Sequence, residues 1–185
     1  MPSWRHALSA LLLGALASLA QAVEVKFQPV APGVFAFIGE KGGRTHANEG
    51  LNANIGLVVT PAGALLIDSG ASFKGAQQIH AAVQQVTDQP VKWVINTGGQ
   101  DHRWLGNGYF IGQGAEVIAH ADAKADLLAR GGDHLAALKP ELKDKLDGTV
   151  PTLPTRWLSG QDEPLNLGDM AIEVKHRKGA HTPGD

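Results

Sequence analysis

The sequence predicts an α/β domain. Three observations predict it: apolar runs of strand length recur along the chain, segments with helical apolar spacing fall between several of them, and turn signals separate the two. Residues 25–38 read as two short strands around the turn signal Ala31-Pro32-Gly33. Residues 40–51 form a polar, glycine-rich loop. Residues 54–59 and 64–67 are apolar strands joined by the turn Thr60-Pro61-Ala62-Gly63. Their runs do not alternate, so this hairpin is expected to be buried on both faces. Phe73, Ala76, Ile79, Val83 and Val86 recur at helical spacing, and Gln89-Pro90 closes that helix. Residues 91–95 are another buried strand, 96–107 a polar loop, and 116–119 a strand. One helix is expected over 121–129, stopped at Gly131-Gly132, and a second from 134 to 146, where Glu141 and Lys145 sit on a solvated face. Residues 148–155 form a Pro/Thr connector. Trp157-Leu158, 165–167 and 170–174 read as closing strands.

Composition narrows the chemistry. The chain has 185 residues, no cysteine, and a formal net charge of −2. A disulfide framework, a thiolate metal site and a cysteine nucleophile are therefore excluded. With 43% hydrophobic and 18% charged residues, disorder is not expected. The near-neutral balance gives no electrostatic case for nucleic acid or an anionic membrane surface. Residues 1–22 read as a secretory signal peptide: Arg5 and His6, then an apolar run over 7–20, then the A-x-A site Ala20-Gln21-Ala22. Cleavage after Ala22 leaves residues 23–185 as one domain without a stable membrane anchor, in the periplasm or outside the cell. The competing reading, an uncleaved anchor, needs a longer apolar run, since a span takes roughly 20 residues.

Two polar clusters stand at strand ends, where α/β proteins place their sites. The first runs from Asn96-Thr97-Gly98-Gly99-Gln100-Asp101-His102-Arg103 to Gly106-Asn107, and the second is Gly179-Ala180-His181-Thr182-Pro183-Gly184-Asp185. Loops rich in histidine and carboxylate in this position are able to converge on a metal. A serine nucleophile elbow and a dinucleotide fingerprint are both missing.

Taken in order with Asn52-Ala53-Asn54-Ile55-Gly56 and Leu65-Leu66-Ile67-Asp68-Ser69-Gly70, these clusters resemble the metallo-β-lactamase fold superfamily over all of residues 23–185. The resemblance implies an αββα sandwich with one or two metal ions, often zinc, and hydrolysis of a small-molecule substrate by a metal-activated water. It also implies more chain after the Gly-Asp pair, so the sandwich is expected to be incomplete at the C-terminus and the chain to be a fragment.

The family loop reads Thr-His-x-His-x-Asp-His. Without a gap, Gly98 and Gln100 stand for its two first histidines, His102 for its aspartate and Arg103 for its last histidine. With a one-residue gap, Asp101-His102 keeps the Asp-His pair. In either register the His-x-His pair is gone, and zinc takes His, Cys or carboxylate rather than glycine or a glutamine amide.

The candidate set that follows from the resemblance is Asp101, His102 and His181 as ligands of zinc or another divalent metal, with Asp101 and His102 catalytic. Asp68 is expected behind them, holding the loop by hydrogen bonds, and Arg103 is expected to meet an anionic substrate group. Ordinary roles compete: loop caps for Asp101, His102 and His181, and a plain ion pair for Arg103. Trp104, Tyr109 and Phe110 read as packing, His46 as exposed, and His80, His120 and His134 as structural. His176 is a strand-end residue with no evident partner. The function expected is an exported metal-dependent hydrolase with a degenerate ligand motif. The alternative is a non-catalytic member that keeps the cleft for binding, or an inactive fragment of a longer hydrolase.

Overall fold

The computed structural model describes residues 23–178 and 180–185. The expected leader, residues 1–22, and Gly179 of the second cluster lie outside the described residues. No helix among those described is long and apolar enough to cross a membrane.

A mixed sheet is laid down in chain order, β1 (Gln28–Ala31), β2 (Val34–Phe37), β3 (Ile55–Thr60), β4 (Gly63–Ile67), β5 (Val91–Ile95), β6 (Glu116–His120) and β7 (Arg156–Leu158). Tight turns at the Pro-Gly and Pro-Ala-Gly signals make β1–β2 and β3–β4 antiparallel hairpins, and the long loop over 38–54 returns β3 antiparallel to β2. Crossovers through helices then make β4 to β7 parallel. A separate hairpin, β8 (Asp162–Leu167) and β9 (Met170–Lys175), forms a second small sheet.

β4 is buried on both faces, as expected of its non-alternating run, whereas β3 buries Ile55 and Leu57 on one face and leaves Val58 on the other only partly buried. On one face Leu57, Leu66, Val94 and Val117 pack with Ile79 and Val83 of α1 (Phe73–Gln84) and Phe110 of α3 (Asn107–Gly112). On the other, Leu65, Ile95, Ile118 and Leu158 meet Leu165 and Leu167 of the hairpin. Burying a side chain of this size stabilises the fold by roughly 1.5–3 kcal/mol. Helix α1 starts where Ser72 accepts from Gly75 N–H at 2.9 Å.

Two expectations are corrected. Residues 96–107 are not all loop: α2 (Asp101–Trp104) forms within them and α3 begins at Asn107. And residues 123–142 are one helix, α4 (Ala123–Leu142), running through Gly131-Gly132 and Pro140. Gly131 does not stop it because tertiary packing needs a bare Cα there: a Cβ would lie 2.9 Å from Pro151 and 3.2 Å from the Trp104 ring. Trp104 is fully buried against Leu127, Leu138 and Leu142, and that apolar contact outweighs the helix-breaking tendency of the glycines.

Candidate functional site

The site lies at the carboxyl ends of the parallel strands, where β4 leads into Asp68, β5 into Asn96-Thr97 and β6 into Ala121-Asp122. The motif loop is closed by its own ends. Asn96 and Asn107 exchange side-chain hydrogen bonds in both directions, at 2.8 and 3.1 Å. Ser69 Oγ donates to Asn107 at 2.8 Å, and Asn96 Nδ2 donates to the Arg103 carbonyl at 2.8 Å. Gly106 has no room for a side chain, since a Cβ would run into the Ser69 carbonyl. The loop is thus clamped onto the strand end that carries Asp68.

Asp68 sits at φ 68°, in the left-handed region that Asp tolerates better than most residues. It accepts from Thr97 N–H at 2.8 Å and from Thr97 Oγ1 at 2.8 and 3.1 Å. Burial pushes its pKa up to about 6, against the lowering effect of the Thr97 bonds and of the Arg103 and His102 charges. Asp68 therefore holds the start of the loop. The Arg103 guanidinium occupies the same corner, with Nη1 donating to Thr97 O at 3.1 Å and Thr97 Oγ1 at 2.9 Å. Among the described residues it makes no ion pair within 4.0 Å.

The second cluster folds back onto the first. Gly99 N–H donates to Thr182 Oγ1 at 2.8 Å. Asp185 closes the turn by accepting from His181 N–H at 2.6 Å and Thr182 N–H at 2.9 Å. Burial works against the Asp185 charge, but the Thr182 hydroxyl, these two N–H bonds and the nearby Arg103 charge outweigh it and hold its carboxyl below the usual range. Its carboxylate fills the space beside Gly98 that a side chain would take, since an added Cβ would overlap Asp185 Oδ1 and lie 3.1 Å from Arg103 Nη1. Gln100 Oε1 is buried without a partner among the described residues.

Asp101 and His102 stand together at the start of α2, tied to Arg44. Arg44 Nη2 pairs with Asp101 at 3.0 Å, His102 Nδ1 lies 3.3 Å from Asp101 Oδ1 and 3.4 Å from Arg44 Nη1, and His102 N–H donates to Asp101 at 2.7 Å. Burial works against the Asp101 charge, but the His102 bond and the Arg44 charge outweigh it and hold its pKa below the ordinary value. His181 is exposed on the far turn, lining an open cavity of about 500 Å³ with Asp122 and Thr182. The ligand atoms of Asp101, His102 and His181 do not come within 4.8 Å of one another as a trio.

A different trio does. His120, Asp122 and His176 place one ligand atom each within that distance. His120 and His176 stack with centroids 3.6 Å apart and planes 16° from parallel. His176 Nε2 lies 3.1 Å from Asp122 Oδ2 and His120 Nδ1 lies 3.7 Å from it. The signal for His120 and Asp122 was their His-x-Asp spacing at a strand end; His176, more than fifty residues away, carried none. Elsewhere His46 pairs with Asp144 at 2.7 Å, and His80 meets Tyr109 Oη at 2.7 Å.

The family model of the metallo-beta-lactamase superfamily matches residues 48–185. The chain belongs to that superfamily. Solved structures of superfamily members share its fold. A metallo-beta-lactamase from Pontibacter korlensis superposes with a TM-score of 0.61 at 19% identity, covering 87% of this chain and 64% of its own. The metallo-beta-lactamase FIM-1 from Pseudomonas aeruginosa, solved in a mono-zinc form, gives 0.53 at 18%, covering 77% and 55%. A Cronobacter sakazakii metallo-beta-lactamase described by its HARLDQ motif gives 0.60 at 21%, covering 86% and 57%. The chain thus spans less than two thirds of the length of these relatives. Among curated proteins none matches it.

Superfamily membership implies metal, and the motif loop of this member does not fit one. At the positions of the first two histidines stand a glycine whose side-chain space holds the Asp185 carboxylate and a glutamine. These assignments hold in the ungapped register, where the fourth position is a guanidinium, itself a fixed cation; in the gapped register Asp101-His102 keeps the Asp-His pair, and both residues lie against Arg44.

Proposed function

We propose that this chain is an exported metallo-beta-lactamase-superfamily protein whose motif cleft binds a small anionic molecule on Arg103 in place of a metal. The single observation behind this reading is the Arg103 guanidinium, anchored through one nitrogen to Thr97 and without an ion pair within 4.0 Å among the described residues. Nε and Nη2 remain to meet a carboxylate or phosphate in the planar, two-point manner that guanidinium favours. Asp68 fixes Thr97, and Thr97 fixes the arginine, so the donor is preorganised. Export rests on the leader over residues 1–22.

The hydrolytic reading, with zinc on Asp101, His102 and His181 and a metal-activated water, draws on the adjacency of Asp101 and His102 and on the contact between the two clusters at Gly99 and Thr182. It requires Asp101 to leave Arg44 and His181 to turn inward.

Titration with inorganic phosphate and with acetate, read by the thermal unfolding midpoint, tests the binding reading. The wild-type midpoint is expected to rise with either anion. Arg103→Gln should weaken binding about tenfold, and Arg103→Lys by less, because one charge-assisted hydrogen bond contributes roughly 1.5–3 kcal/mol. Equal responses in wild type and Arg103→Gln would sink the proposal.

A further inference from the structure

We infer that His120, Asp122 and His176 form a binding site for a divalent transition-metal ion of the zinc type, at a locus separate from the motif loop. His176 is 3% exposed, so each of its ring nitrogens needs a partner within the protein. Its Nδ1 lies 2.6 Å from the Asp185 backbone carbonyl, which only accepts, so Nδ1 carries the proton. The other nitrogen, Nε2, then presents a lone pair to Asp122 Oδ2 at 3.1 Å, and a carboxylate also only accepts. Two acceptors at that distance need a cation between them, either a second ring proton or a metal. An imidazole whose Nδ1–H is held by a backbone carbonyl, leaving Nε2 free, has the orientation that protein metal sites use.

Asp122 strengthens the case. It stands at the N-terminus of α4, where an aspartate ordinarily caps backbone N–H groups, yet its side chain makes no capping bond there. It turns toward the two rings instead. His120 is 8% exposed, and its Nε2 is buried with no partner among the described residues. Its Nδ1 accepts the Asp122 N–H at 3.2 Å, a bond that this nitrogen gives up when it binds a metal.

The spacing fits. Ligand atoms about 2.0–2.2 Å from a tetrahedral zinc are about 3.3 Å apart. The separations from Asp122 Oδ2, 3.1 Å to His176 Nε2 and 3.7 Å to His120 Nδ1, bracket that edge. Two imidazole nitrogens and one carboxylate oxygen suit zinc and its neighbours, whereas calcium and magnesium take oxygen alone. A fourth position is open to water or to His181, since Asp122 and His181 line the same cavity.

Chelator-stripped protein titrated with cobalt(II), then with zinc, tests the site. Wild type should take up one equivalent of cobalt with the visible absorption of a tetrahedral ion, and zinc should displace it. Asp122→Asn and His176→Ala should each weaken affinity about tenfold or more, while His102→Ala leaves it unchanged. His176 is buried, so circular dichroism accompanies its variant. If that variant fails to fold, Asp122→Asn decides, because the Asp122 side chain is 46% exposed and caps nothing. Absence of saturable cobalt binding in wild type, or unchanged affinity in Asp122→Asn, overturns the site and leaves the Arg103 reading untouched. Loss of metal in His102→Ala instead would overturn both.

Discussion

Asn107→Ala is expected to lower the unfolding free energy by about 3 kcal/mol, because it strands several buried partners at once. Asn107 has no exposed surface, and it joins four groups: Ser69 Oγ, both ends of the Asn96 amide, and the Thr152 carbonyl at 3.2 Å. Alanine removes the side chain that joins the end of the motif loop to Asn96 at its start. Each buried donor or acceptor left without a partner costs roughly 1–3 kcal/mol, and a low-dielectric interior deepens the loss. Denaturant unfolding measures it. A change under about 0.5 kcal/mol, typical of surface positions, would contradict the clamp.

Asp68→Asn is expected to abolish a pH dependence of similar size. Burial raises the Asp68 pKa from 3.8 to about 6 in the folded chain. Below about pH 4 the residue is protonated in both folded and unfolded chains, and its contribution is fully present. As pH rises, the unfolded chain ionises first while the folded chain keeps its proton, so stability falls by roughly 3 kcal/mol across pH 4 to 6. Above that window both states are ionised and the loss is complete. Asparagine keeps an acceptor for Thr97 N–H and tolerates the φ of 68°. Unfolding curves at several pH values should therefore fall from pH 4 to pH 6 in wild type relative to Asp68→Asn. Parallel profiles would refute the assignment.

Much of the fold was legible because its signals are local. The apolar runs at 54–59, 64–67 and 91–95 became β3, β4 and β5, and the spacing from Phe73 to Val83 became α1. Asp68 at a strand end was read as holding the loop, and it bonds Thr97. What failed depended on contacts between distant residues. Gly131-Gly132 reads as a helix stop until Trp104 and Pro151 are seen to need the space. Residues 101–104 are too short and polar to announce a helix.

The same division holds at the site. The missing His-x-His pair was plain in the sequence. That the Asp185 carboxylate fills the space beside Gly98 was not, because it depends on the second cluster folding across Gly99. His120 and His176 looked structural or partnerless for the same reason. One ends β6 and the other follows β9, and only the packing of the hairpin stacks them.

The proposed function makes Arg103, not a metal, the cation of the motif cleft. Zinc stoichiometry after equilibrium dialysis of the double variant Asp122→Asn/His176→Ala measures it most directly, since that protein lacks two of the three ligands of the His120–Asp122–His176 locus. No stoichiometric zinc is predicted. One tightly held equivalent that disappears on adding His102→Ala would contradict the account.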